Sequence, residues 1–241
     1  MKIKFLLLFT GILFGSCQSH SPQALIQLVE EFEAELPKIF PDYATAMGVP
    51  LATDILIMPT KLKLEENLDF CQKYLKAFED YDHLNGYPEL NQQRTEKLEI
   101  LNGMIQQMSG TRSPFNDPGF YNIYPAIAWR NSQLQQYQNS KNVHLLEKTL
   151  TKVPIYFYHA KANLDDPNIP RTTAAIDLQD QTFNFLNTTV AEQIRSLPEN
   201  KVRKNLEIVH QEAINAVKDY AAFCRRILIE LKKLEQSSDK N

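Results

Sequence analysis

Glycine is scarce in this sequence. There are seven among 241 residues, and past the first fifteen positions only Gly48, Gly86, Gly103, Gly110 and Gly119 remain. Phosphate loops and dinucleotide fingerprints need clustered glycines so that backbone can approach phosphate. None cluster here. Histidine is thin too: His20, His83, His144, His159 and His210 are the full set. No two of them have the four-residue spacing that sets a pair of imidazoles on one helical face around zinc. Positive charge is not in excess, with 26 basic against 29 acidic residues, so there is no electrostatic footprint for nucleic acid. Nor does any apolar run reach the ~20 residues that cross a bilayer as a helix.

One shorter apolar run is present, at the start. Lys2 and Lys4 precede FLLLFTGILF at 5–14, and Gly15 and Ser16 lead into Cys17. A positive n-region, a short apolar stretch and small residues before a cysteine form a lipoprotein-type leader. The pattern resembles a lipobox, with Phe14 where leucine is usual. Cys17 is then the expected acylation site, carrying fatty-acyl chains such as palmitate. Each buried methylene contributes ~0.8 kcal/mol, so two or three chains on one cysteine hold a protein at a membrane without a transmembrane helix. The expected organisation is a leader over 1–16, a polar tether over 17–23, and a helical domain over 24–241. No acidic residue follows the cysteine closely, and the expected location is the cell envelope, facing the periplasm.

The rest reads as helices. The 60–81 segment carries Leu64, Leu68, Cys71, Leu75 and Phe78 at spacings of four and three. After a turn at 83–87 (HLNGY), Pro88 opens a helix with Leu98, Leu101, Ile105 and Met108 on one face, giving an antiparallel hairpin. The 143–164 stripe runs Val143, Leu146, Leu150, Val153, Phe157, Ala160 and Leu164, with Pro154 inside it, where a kink or break is expected. A last helix is expected over 198–235, opened by Ser196 and Glu199 at capping-box spacing with Pro198 in the first turn. The predicted fold class is all-α, a helical bundle with a long C-terminal helix. Cys71 and Cys224 lie on core-facing helical positions, where buried free thiols are expected, although an oxidising compartment would permit a disulfide.

The 109–130 stretch (SGTRSPFNDPGFYNIYPAIAWR) reads as the one long irregular segment. Aromatics give contact area at recognition sites while losing few rotamers. Tyr121, Tyr124, Trp129 and Arg130 are therefore the candidate binding residues, expected to line a groove against the 143–164 helix. The competing reading tucks the same aromatics into the bundle as core. No catalytic residue, metal ligand or cofactor is assigned. The acidic residues Glu30, Glu31, Glu33, Glu35, Asp165 and Asp166 read as solvated charges.

Several stretches resemble the N-terminal half of the bacterial domain-of-unknown-function 885 family, whose members are exported, helical and often lipoproteins. The 40–48 segment (FPDYATAMG) is similar to an early P-x-x-A-T-x-x-G element of that family. The 150–170 segment is similar to its proline-bearing helix with an A-x-x-N-L end and proline-punctuated turn, here Ala160, Asn163, Leu164, Pro167 and Pro170. The 174–186 helix and the last helix follow in family order. The family's second half looks like a zinc peptidase with an H-E-x-x-P-G-H motif. This sequence contains no His-Glu pair and ends at Asn241, so no catalytic or metal residue carries over.

Two functions are therefore expected to compete. One is a non-catalytic, lipid-anchored helical module, or truncated peptidase-like relative, that binds a peptide, a protein partner or a small ligand. The other is one half of a split zinc peptidase whose catalytic lobe is encoded separately.

Overall fold

Helix starts in this chain are written by side chains that accept the first free backbone N–H groups. In the computed structural model, which describes residues 21–40, 56–81, 84–110, 113–136 and 138–238, Ser21 Oγ accepts from Ala24 N and opens α1 (Pro22–Ile39). Thr60 Oγ1 accepts from Lys63 N and opens α2 (Lys61–Glu79). Pro88 sits in the first turn of α3 (Pro88–Ser109), where its missing N–H costs nothing. Asn122 Oδ1 accepts from Tyr124 N at the start of α4 (Tyr124–Gln136). Asn139 caps α5 (Ser140–Asn163) and Asn168 caps α6 (Ile169–Phe185). A π turn, Leu186–Val190, joins α6 to the short α7 (Ala191–Arg195). The last helix, α8, is Lys201–Ser238. Its 38 residues run about 57 Å at 1.5 Å each.

The architecture is all-α with a long last helix, as the stripes predict, and no strand occurs among the described residues. Two details differ from the sequence expectation, and at Pro154 one of its two alternatives is excluded. Helix α8 starts one turn late because Asn200 Oδ1, not Ser196, takes the free amide of Arg203 at 3.0 Å. Ser196 Oγ instead donates to the Gln193 carbonyl. Helix α5 passes through Pro154 as one element rather than two. The 109–130 stretch is not wholly irregular, since it contains a 3-10 turn (Pro118–Phe120) and the first half of α4. The leader, Cys17 and the 41–48 part of the early family-like element lie outside the described residues.

Two cores result. The N-terminal lobe, α1 to α3, closes on Leu25, Phe32, Cys71, Tyr74, Phe78 and Leu101. The turn between α2 and α3 uses Gly86 at φ 84, a conformation that costs glycine little. Asn91 then clamps that turn by accepting from Leu84 N and donating to Leu84 O. The C-terminal lobe wraps α4, α6 and α7 around the α5–α8 pair, with Leu146, Leu150, Val153, Phe157, Leu206 and Tyr220 at its centre. The join between lobes is specific. Asn163 Nδ2 donates to the Pro59 carbonyl and Lys152 Nζ to the Leu56 carbonyl, so the residues leading into α2 are fixed to α5. Asn163 is the asparagine of the A-x-x-N-L stretch, and this is what it does in the fold. Cys71 and Cys224 are free, buried, and in different cores.

Candidate functional site

The 113–123 strap crosses the C-terminal lobe and is anchored from beneath. Tyr121 is 0% exposed and its hydroxyl donates to the Pro114 carbonyl at 2.7 Å. Its ring meets Tyr156 of α5 and Tyr220 of α8 edge-on. Tyr220 in turn donates to the Pro118 carbonyl at 3.0 Å. Gln179 Nε2 donates to the Tyr121 carbonyl, and Asp165 N to the Phe115 carbonyl. Burial pushes the pKa of both phenols above the ordinary tyrosine value, so both stay protonated donors. Tyr121 does lie against the 143–164 helix as expected, but from within the core, where it can face no ligand.

The other candidate residues are not gathered with it. Tyr124 is 40% exposed and leans edge-on against Phe185 of α6, with centroids 5.0 Å apart. Trp129 is half-buried, five positions further along α4. At about 100° per residue that separation turns it roughly 140° from Tyr124. The Arg130 guanidinium lies over the Trp129 ring, 4.7 Å from its centroid, and Arg130 itself is buried. Tyr121, Tyr124, Trp129 and Arg130 thus mark three different surroundings and no shared groove.

A cavity of about 610 Å³ opens elsewhere, between the two lobes. Ile57, Met58 and Pro59 form one wall, Leu64 and Asn67 of α2 and Ile100, Gly103, Met104 and Met108 of α3 a second. Asp117, Gly119, Phe120 and Asn122 of the strap, with Tyr156 of α5, close the third. The irregular segment therefore does reach a pocket, through residues other than those expected. The volume falls within the ~300–1,000 Å³ of small-molecule sites, which are likewise mostly apolar with a few placed polar groups. Asp117 accepts from Gly119 N at 2.8 Å and pairs with Arg171 at 3.4 Å. Lys63 pairs with Glu66 at 3.1 Å. Asn67 Oδ1 is shielded from solvent and has no hydrogen-bond partner. Built on Gly103, a Cβ would meet nothing within 4 Å. Sequence could not assemble this site, because its walls come from five segments.

Groups capable of chemistry lie away from it or are inert. Desolvation pushes the Cys71 and Cys224 thiols up to about 12, so neither forms a thiolate at neutral pH. His210 is buried in α8 with Nε2 2.9 Å from the Leu186 carbonyl. Among the described residues no three His, Cys, Asp or Glu side chains gather as metal ligands. None of the described helices is long and apolar enough to cross a membrane.

No family model matches the chain, and no curated protein matches it. In structure it is similar to a protein from Shewanella oneidensis classed provisionally as a lipoprotein and of unknown function, with TM-score 0.74 and 15% identity. The match covers 87% of this chain and 38% of that one, so this chain spans well under half of that protein's length. At that identity the likeness is one of fold alone.

Proposed function

We propose that this protein is a lipid-anchored module of the cell envelope that binds a ligand in the cavity between its lobes without transforming it. The cavity carries the reading: it is mostly apolar, of ligand size, and its polar groups are placed to orient rather than to react. The anchor is supported by the leader and lipobox-like sequence ending at Cys17, and by the provisional lipoprotein classification of the structurally similar Shewanella protein. A location on the periplasmic side follows from that leader. The partners are the membrane, through the lipid, and a small ligand or an apolar peptide side chain.

Two experiments test the two halves of this reading. Cys17→Ser removes the thiol that forms the diacylglyceryl thioether, so labelled fatty acid should no longer enter the protein. Incorporation that persists in Cys17→Ser would place the anchor elsewhere. For the cavity, Gly103→Phe should abolish ligand capture while leaving the melting temperature unchanged or higher. Undiminished capture by the Gly103→Phe variant would remove the cavity from the account.

A second reading rests on the far end of α8. Beyond Cys224 no described side chain is buried, and Ile229 and Leu234 are 55% and 64% exposed. Together with the resemblance of the sequence to the domain-of-unknown-function 885 family, this supports one half of a split peptidase. A separately encoded zinc lobe would then cover the bare face of α8. Co-expression with such a lobe should yield a stable complex that Leu234→Asp disrupts; two species that elute separately would dismiss it.

A further inference from the structure

We propose that the cavity between the lobes takes an uncharged, single-chain amphiphile whose terminal hydroxyl or amide donates a hydrogen bond to Asn67. This rests on the cavity being the binding site, and it adds the class of ligand.

The first observation is the distribution of methionine. The chain has five, and Met58, Met104 and Met108 all line this cavity. Thioether side chains are unbranched and polarisable, and they reshape around flexible apolar ligands. Cys71 sits behind one of them, its Sγ 4.0 Å from Met104 Sδ. That wall is soft and apolar to its second layer.

The second observation is charge. The two ionic side chains that reach inward are answered within the protein, Lys63 by Glu66 and Asp117 by Arg171. The remaining one, Glu99, is exposed at the mouth. An anionic headgroup would find no free cation there and would face a carboxylate. A cationic headgroup could meet Glu99 only in water, where screening leaves such a pair weak. Neither charge is favoured.

The third is Asn67. A buried acceptor without a partner is costly, and a donor brought by a ligand relieves that cost. Asn67 lines the cavity, and its Oδ1 is such an acceptor. A hydroxyl or amide at the end of an apolar chain supplies the missing donor. A carboxylate does not.

The test uses the full-length protein in phosphatidylcholine vesicles at mildly alkaline pH, where dodecanoic acid is ionised and dodecylamine still protonated. A diazirine-bearing dodecanol is photo-crosslinked, the modified residues are mapped by mass spectrometry, and the three unlabelled probes compete at concentrations corrected for partition into lipid. Crosslinks should fall on 57–67 and 100–108, and dodecanol should compete at least about tenfold better than the acid or the amine, some 1.4 kcal/mol. Asn67→Leu should reduce that preference while crosslinking persists, because what remains is the cost of desolvating the charged headgroups. If the acid or amine competes as well as the alcohol, or Asn67→Leu leaves the preference intact, the neutral-donor assignment is wrong although the cavity still binds. If crosslinks fall elsewhere, or survive Gly103→Phe, the binding site itself is misplaced.

Discussion

The two lobes are built from the same element, the amphipathic helix, yet they are held differently. Among the described residues the C-terminal core has 22 buried members and the N-terminal core 12. More telling is the placement of polar groups. In the C-terminal lobe the hydroxyls of Tyr121 and Tyr220 and the ring of His210 are all buried and all bonded to backbone carbonyls. In the N-terminal lobe the comparable bonds sit at the edge: Tyr74 donates to the half-exposed Glu35, and Arg94 to the Phe78 carbonyl. Buried polar networks fix one arrangement, because any alternative leaves a desolvated group unmade. A smaller core sealed at its rim can adjust. A cavity whose adaptable wall is the N-terminal lobe and whose strap side is rigid is the expected product.

That contrast can be broken most forcefully in the cores. Phe157, stacked on Tyr220 with centroids 4.5 Å apart, lies at the centre of the larger lobe. Phe157→Ala should cost about 3–5 kcal/mol and lower the melting of the whole protein. Phe32→Ala should release α1 to α3 while protection in α5 and α8 persists. Hydrogen exchange resolved by segment would show it, and loss of protection everywhere in Phe32→Ala would mean that the lobes fold as one unit.

Single hydrogen bonds give the next largest effect. Tyr220→Phe leaves the buried Pro118 carbonyl with only the longer bond from Tyr121 N, 3.4 Å, and should cost about 1–3 kcal/mol. Tyr74 is itself buried but its acceptor, the Glu35 carboxylate, can be rehydrated, so Tyr74→Phe should cost less than Tyr220→Phe. Denaturant melts of the two variants compare them directly, and equal costs would deny the difference between sealed and open polar groups.

His210 sharpens the comparison through pH. The π turn directs the Leu186 carbonyl to two donors, Ala191 N and the His210 ring. Burial holds that imidazole below its ordinary 6.5. The unfolded chain therefore binds a proton as pH falls through about 6.5, before the folded chain accepts one. This contribution is complete above 6.5 and is lost below it, down to the folded value. His210→Gln can keep a donor near the carbonyl without titrating, so its stability should stay flatter as pH falls below about 6.5. An unchanged pH profile would remove His210 as the cause.

The smallest expected effect is a gain. Gly103 lies mid-helix in α3 beside open space. Gly103→Ala should stabilise the N-terminal lobe by about 0.5–1 kcal/mol, measured as a raised melting temperature. Destabilisation would show the cavity wall to be closer there than described.

Much of this fold was legible because helices repeat their apolar residues at spacings set by about 3.6 residues per turn. All but Leu164 of the α5 stripe are buried, and Leu164 packs partly buried against the same core. Helix α4 escaped because its inner face reads Ile127, Arg130, Asn131, Leu134, with two buried polar residues interrupting the stripe. The start of α8 was misplaced because two capping patterns lie close together in the chain, and only geometry decides that Asn200 captures the amide. The cavity was not legible at all. Its methionines are apolar core residues to any periodicity, and Asn67 looks like a solvated helix position. What distinguishes them is where one lobe fails to fill the other.

The claim that this gap is the binding site has one most direct measurement: hydrogen exchange of the full-length protein in phosphatidylcholine vesicles, with and without dodecanol. Binding in the cavity predicts slower exchange in the 61–68 and 98–108 segments of α2 and α3, with the centre of α8 unchanged. Exchange that does not slow there, or that slows instead over 124–130, would contradict it.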